Sequence, residues 1–209
     1  IHARSRGDAF KKEADFPQKS PEEYLREALE LSESYDAAVV TGDVLDFTSI
    51  ENKRVAKEMF RDFDGMCCAG NHEFCPMVGI PDSFERMRKT YGEIREVFGK
   101  DIFFDSRVVG GVNLIAVDNS YFIWTKEQRK RFFKEFEKGC PCLVFCHTPI
   151  LEANLWHNPS HRDLAVTEQE AEFTRGVTKM LIGEPLVKAF FAGHYHISGE
   201  QALENGKIC

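Results

Sequence analysis

The sequence predicts an α/β protein in which a mixed β-sheet system is covered by helices. Amphipathic helical segments alternate with short apolar segments typical of buried strands, and an antiparallel hairpin interrupts this alternation near the middle of the chain. The 209 residues are 43% hydrophobic and 29% charged, which is close to the average of globular proteins. This composition excludes a disordered or fibrous chain. We expect a single domain over residues 1–209.

Capping residues in the sequence indicate where several of the predicted helices begin. In three of them a serine or threonine N-cap is followed three residues later by Glu or Gln, the capping-box pattern that satisfies free N–H groups of the first turn. These N-caps are Ser20, Thr125 and Thr167. The predicted helices cover about 20–34, 50–63, 82–98 and 125–138, and a last helix begins at 167.

The predicted strands lie between these helices. Two of them, at 102–109 and 112–117, are separated by Gly110-Gly111 and predict an antiparallel hairpin. The others are mostly apolar, as expected of strands buried on both faces. These strands are 37–40, 66–69, 142–146 and 187–192.

The net charge and the two ends of the sequence indicate where the protein is located and what it can bind. The chain has 27 basic and 34 acidic residues, a formal net charge of −7 and a pI near 5.6, which disfavours nucleic acid and anionic membranes as partners. It contains no run of 18 apolar residues and no secretory signal, so we expect a cytoplasmic location without membrane contact. Because the chain begins at Ile1 and ends at Cys209 after an Asn205-Gly206 hairpin signal, we expect it to be truncated at both ends.

The seven cysteines are an odd number, and several fall in apolar segments. This distribution favours buried thiols over a disulfide framework. A thiolate zinc site at Cys140, Cys142 and Cys146 is disfavoured, because alternate residues of one strand face the same side and cannot alone surround a tetrahedral ion.

Polar clusters follow four of the predicted strands. They are Gly42-Asp43-Val44-Leu45-Asp46, Gly70-Asn71-His72-Glu73, His147 and Gly193-His194-Tyr195-His196. Sites of α/β proteins are built in the crevice outside the carboxyl ends of strands, so we expect these side chains to meet. Imidazole and carboxylate ligands suit iron, manganese and zinc better than calcium. The sequence therefore predicts a transition-metal site.

The four clusters, taken in this order, resemble the motif blocks of the calcineurin-like metallophosphoesterases. The family pattern is Asp-x-His, Gly-Asp-x-x-Asp, Gly-Asn-His-Asp/Glu, a His after a strand, and Gly-His-x-His. Blocks two to five are present in full, and Ile1-His2 is similar to the end of the first block without its Asp. The resemblance implies a four-layer sandwich of two mixed β-sheets flanked by α-helices, with a binuclear metal centre.

The resemblance also implies a role for each matching residue. Two manganese, iron or zinc ions would be bound, with Asp43 as the bridging carboxylate. His72 would not be a ligand but would face the substrate, and Asp46 would orient it. The remaining ligands would be His2 and His196 for the first ion, and Asn71, His147 and His194 for the second.

The implied activity is hydrolysis of a small phosphomonoester or phosphodiester by in-line attack of a metal-bridging hydroxide, so the expected partner is a small phosphorylated substrate. One alternative is a non-catalytic scaffold or interaction module on the same fold. Within enzymes, the alternatives are a nucleotide pyrophosphatase and a protein phosphatase. The protein-phosphatase branch carries Arg where Phe47 follows Asp46, so that alternative is disfavoured.

Two further segments allow two interpretations each. The loop 148–163, which contains Trp156, His157 and His161, could form a wall of the substrate site or a solvated surface loop. The run 121–124 could face the cleft, or it could pack at the start of the following helix.

Overall fold

The computed structural model describes residues 19–77, 84–150, 167–196, 198–203 and 206–209. Within these ranges the chain forms five α-helices and six β-strands, with one 3₁₀ turn at His72–Phe74. The helices are α1 (Pro21–Ser32), α2 (Ile50–Met59), α3 (Phe84–Phe98), α4 (Lys126–Phe136) and α5 (Glu168–Gly183). The strands are β1 (Val39–Val40), β2 (Met66–Cys67), β3 (Phe104–Val109), β4 (Val112–Val117), β5 (Cys142–Cys146) and β6 (Val187–Ala192).

The strands form two sheets. In the first sheet β1 pairs with β2 in parallel, and in the second the order is β3-β4-β5-β6. The predicted hairpin is confirmed, since β3 and β4 are antiparallel, whereas β4, β5 and β6 run parallel to one another. The carboxyl ends of β4, β5 and β6 therefore lie at one edge of the second sheet.

Alternation along the strands divides the apolar side chains into layers. Met66 and Cys68 pack with Leu114 and Ala116 between the two sheets, while Cys67 faces the opposite way, toward α1, α2 and α3. On the far side of the second sheet, α4 and α5 cover the alternate residues of β4 and β5. The order is thus helices, sheet, sheet, helices, and the predicted fold class is confirmed.

The three predicted capping boxes are present. Ser20, Thr125 and Thr167 each accept the N–H of the third helical residue, and the side chain of that residue accepts the N–H of the cap in return. Helix α2 ends four residues earlier than the predicted 63. Its C-cap Phe60 is buried and packs edge-on against Phe63 and Phe98, with ring centroids 5.3 and 5.0 Å away, so the chain turns there to fill the core.

Phe122 lies edge-on to His194, 5.4 Å between ring centroids, as the first interpretation of the run 121–124 predicts. Trp124 packs at the start of α4, as the second interpretation predicts. Its indole is buried and lies edge-on to Phe132, 5.9 Å between ring centroids. Its backbone N–H donates to Thr174 Oγ1 at 3.1 Å, and its indole Nε1–H donates to Thr178 Oγ1 at 3.0 Å. This residue therefore joins α4 to α5 beneath the second sheet.

The seven cysteines all fall within the described ranges and are free thiols. Burial raises the pKa of Cys67 to about 12, so this thiol stays protonated at neutral pH. Of the helices in the described ranges, none combines the length and the hydropathy that crossing a bilayer requires.

We expect Thr178→Val to lower the free energy of unfolding by about 1–3 kcal/mol, because it leaves the buried indole N–H of Trp124 without an acceptor. Chemical denaturation measures this change. Thr90→Val is the control, since the Thr90 hydroxyl donates to Arg86 O of its own helix, and its effect should stay within about 0.5 kcal/mol. Equal effects of the two substitutions would contradict the role assigned to Thr178.

Candidate metal centre

The loops that follow β1, β2, β5 and β6 meet at one edge of the sandwich. The nitrogen Nε2 of His147 lies 3.2 Å from Asp43 Oδ2, 3.1 Å from Asn71 Oδ1 and 3.0 Å from His194 Nδ1. These four residues, called the ligand cluster below, come from both sheets. The structure therefore brings together the bridging carboxylate and the three second-ion ligands that the resemblance implied.

Glycines allow the first two loops to touch. A Cβ atom at Gly42 would lie 2.4 Å from the backbone nitrogen of Gly70, and Gly42 has φ +86°. A Cβ atom at Gly70 would lie 2.2 Å from Asp43 Oδ1. Asp43 and His194 themselves have φ +54° and +56°, a left-handed conformation that is strained for residues with side chains. Close approach of the loops thus explains why glycine precedes Asp43 and Asn71.

The orientation of His147 is fixed through its other ring nitrogen. Nδ1 lies 2.9 Å from the carbonyl oxygen of Thr41, which can only accept, so Nδ1 carries a hydrogen and donates it. In the neutral ring Nε2 then presents a lone pair to the cluster. Burial, with the charge of His147 next in size, lowers the pKa of His194 to about 4, so His194 is neutral at pH 7. Each neutral ring therefore has one nitrogen with a lone pair that an ion could use.

Asp43 adds a buried negative charge. Burial alone would raise the pKa of this carboxyl, but His147 and His72 outweigh it and hold the pKa well below its usual range. Oδ1 accepts the backbone N–H of His72 at 3.0 Å. Oδ2 is buried, and no described residue gives it a hydrogen bond of normal geometry. An ionised oxygen in such a position needs a cation nearby.

These residues fit a transition-metal ion. The ligand atoms of Asp43, His147 and His194 all lie within 4.8 Å of one another, and two imidazoles with one carboxylate are a donor set suited to zinc, manganese or iron. Against the effect of burial, Asp43 raises the pKa of His147, so a proton on this ring can offset part of the negative charge. A proton on His147 Nε2 can serve one of its three neighbours at a time, whereas a bound ion could accept several of these ligand atoms together.

Glu73 is a part of the site to which the sequence assigned no role. Its carboxylate is fully buried and accepts the N–H groups of Asp43 at 2.8 Å, Gly70 at 2.6 Å and Leu45 at 3.0 Å. Burial and the charge of Asp43 raise the pKa of Glu73 to about 7, while the N–H donors oppose this shift. One side chain thus ties together the loops after β1 and β2. The sequence feature that points to this role is the position of Glu73 at the end of the Gly-Asn-His-Glu cluster.

His72 and Asp46 lie side by side, but their contact differs from the one expected. His72 Nδ1 is 2.8 Å from the backbone carbonyl oxygen of Asp46, and the Asp46 carboxylate is 3.8 Å away. Both groups belong to the same residue, so the sequence could not distinguish them. The His72 side chain remains 31% exposed, which leaves it accessible to a ligand at the edge of the cluster.

The two ligands expected for the first ion, His2 and His196, are not part of the ligand cluster in the described structure. His196 has φ +53°, is exposed and lies outside the ligand cluster. His2 and most of the loop 148–163, including Trp156, His157 and His161, lie outside the described residues.

The sequence profile of the calcineurin-like phosphoesterase family matches residues 6–198, and this chain therefore belongs to that family of metal-dependent phosphoesterases. Among solved structures, the chain is similar to a dimetal phosphatase from Danio rerio. The two share 15% sequence identity at a TM-score of 0.58, over 90% of this chain and 76% of that chain, which shows a common fold. A search of curated protein sequences finds no significant match.

We expect Glu73→Gln to lower the free energy of unfolding by about 1–3 kcal/mol and to reduce metal binding, because the amide NH₂ would face a backbone N–H that the carboxylate now accepts. Denaturation and elemental analysis measure the two effects. The control is Glu85→Gln, since Glu85 is exposed and pairs with Lys89 at the surface. If Glu73→Gln behaved like this control, the loops would not depend on Glu73.

Proposed function

We propose that the chain hydrolyses a small phosphomonoester or phosphodiester at a binuclear metal centre, by in-line attack of an activated water. The observation that carries the proposal is the convergence of Asp43, Asn71 and His194 on His147 Nε2 within 3.2 Å. Asp43 and His147 are buried and Asn71 and His194 are half-buried, and a convergence of such ligand atoms suits a bound ion.

The proposed ligands divide between two ions. Asn71, His147 and His194 would hold the second ion, and Asp43 would bridge. His196 and His2 would complete the first. When bound, the ions would supply positive charge for an anionic phosphate and acidity for the attacking water. Manganese, iron or zinc would suit these ligands.

The proposed role of His72 follows from its hydrogen bond. Donation from Nδ1 to Asp46 O fixes the ring, and the protonated ring retains Nε2–H as a second donor. His72 would use this hydrogen to stabilise the transferring phosphoryl group or to protonate the leaving oxygen. The Asp46 carbonyl, more than its carboxylate, would set the orientation.

The scaffold alternative requires no group with His72's role, so measured turnover decides between it and the enzyme. A nucleotide pyrophosphatase would use the same centre and differ only in its substrate. A single domain over 1–209 and a cytoplasmic location also remain predictions.

We expect full-length protein reconstituted with manganese or zinc to hold about two ions per chain. Asp43→Asn should lower both metal content and phosphate release, because it removes the charge shared by the two ions. Elemental analysis and a phosphate-release assay measure these effects. Asp64→Asn is the matched control, since Asp64 is exposed and pairs with Arg107. Fewer than about one ion per wild-type chain, or full loading of Asp43→Asn, would argue against the centre.

We expect His72→Ala to keep its metal and to lose about 10²–10⁴ in kcat, the range typical of removing a general acid. Asp46→Asn should cost about tenfold or less, because the backbone carbonyl that His72 Nδ1 contacts remains and the carboxylate lies 3.8 Å from that nitrogen. The measurement is hydrolysis of a nitrophenyl phosphate monoester and diester at saturating metal. Loss of metal from His72→Ala would show that His72 is a ligand, contrary to this assignment.

A further inference from the structure

Asn119 lies next to the ligand cluster but belongs to none of the motif blocks. It follows β4, and the register of β4 on β5 pairs Val117 with Cys146. The residues that continue each strand therefore run side by side, which places Asn119 beside His147 and Thr148. The side chain is 5% exposed.

Both ends of the Asn119 amide bond the backbone of the neighbouring loop. Its Oδ1 accepts the N–H groups of both His147, at 2.9 Å, and Thr148, at 2.8 Å. Its Nδ2 donates to Thr148 O at 2.8 Å, and Thr148 Oγ1 donates to Asn119 O at 3.1 Å. This pattern needs a strong acceptor and a donor on one short side chain. Aspartate supplies only the acceptor, and alanine supplies neither.

The effect of this contact extends across the second sheet. Asn119 fixes the backbone nitrogen of His147, and the His147 carbonyl oxygen accepts the N–H of Gly193 at 3.0 Å. Gly193 directly precedes His194. One line of hydrogen bonds thus runs from the end of β4 through His147 to the loop that carries the second imidazole.

Asn119 is itself held in place. Asp118 Oδ1 accepts the N–H and the hydroxyl of Ser120 at 2.9 and 2.7 Å, which fixes the turn around Asn119. The Asp118 carbonyl accepts Nε2–H of Gln128, a buried residue of α4. The amide is therefore presented from a rigid turn, and the loop after β5 is set against it.

We propose that Asn119 is a positioning residue that sets His147 and His194 in the geometry required for metal binding. The inference rests on the proposed function, because it takes both histidines as ligands. Asn119 contacts neither imidazole and acts through the backbone. Residues that orient ligands typically contribute 10–100-fold to metal affinity, so we expect an effect of about that size.

The test compares two buried asparagines of the same strand region. Asn119→Ala should weaken Co²⁺ binding by about 10–100-fold and change the visible absorption spectrum of the bound ion. Asn113→Ala is the matched control, because Asn113 is also buried but donates to Glu135, away from the cluster. It should lower stability and leave Co²⁺ affinity and spectrum unchanged. Asn119→Asp keeps the acceptor and should fall between wild type and Asn119→Ala, which provides a milder variant if alanine prevents folding.

The outcomes separate this inference from the proposed function. If Asn119→Ala and Asn119→Asp lower stability as Asn113→Ala does but keep wild-type Co²⁺ affinity and spectrum, Asn119 is merely structural and the inference is wrong. If wild type binds Co²⁺ without releasing phosphate, the proposed function fails while the positioning role is still measured by Co²⁺. Absence of Co²⁺ binding by wild type would overturn both.

Discussion

The imidazole of His147 contacts the loops on which the candidate centre depends. Its Nδ1 donates to Thr41 after β1, and its Nε2 faces Asn71 after β2 and His194 after β6. The two sheets of the sandwich therefore meet in hydrogen-bonding distance at one side chain. Any displacement of this ring would change the three distances from Nε2 to Asp43, Asn71 and His194. The contacts that fix the His147 backbone and Nδ1 therefore affect the whole ligand cluster.

The surrounding structure compensates for a site that is unfavourable by itself. A buried ionised Asp43 and left-handed backbone at Asp43 and His194 both oppose folding. Glu73 offsets part of this by accepting three backbone N–H groups that two tight loops would otherwise leave buried and unpaired. The apolar clusters on both sides of each sheet hold the strands that carry these loops. The strained backbone thus lies in the loops, and the packed core stabilises the strands to which these loops are attached.

The fold class and the four residues of the ligand cluster are predictable from the sequence because local signals encode them. Capping boxes fixed helix starts, and Gly-Asp, Gly-Asn and Gly-His pairs marked the loops. The end of α2 is not predictable in this way, because it depends on where Phe60 packs in the core. Asn119 carries no such local signal, because the sequence around Gly110-Gly111 indicates only the hairpin of β4 with β3. The parallel pairing of β4 with β5, which makes the residues after Val117 part of the site edge, is a long-range property.

The charges around the cluster imply an order of events at the proposed centre. Asp43 is ionised, His194 is neutral at pH 7, and burial raises the pKa of Asp118 to about 6, against the Ser120 hydrogen bonds, so this carboxyl is largely ionised as well. The formal charge of the chain is −7. These carboxylates would therefore repel an approaching phosphate ester, since they have the same sign of charge as the substrate. A proton on His147 would offset only part of this repulsion. Bound cations reverse the sign of the local charge, because their charges are the largest in such a site. In the proposed centre, substrate binding would therefore depend on prior metal binding, and the positions of His147 and His194 would affect the substrate through the ions they would hold.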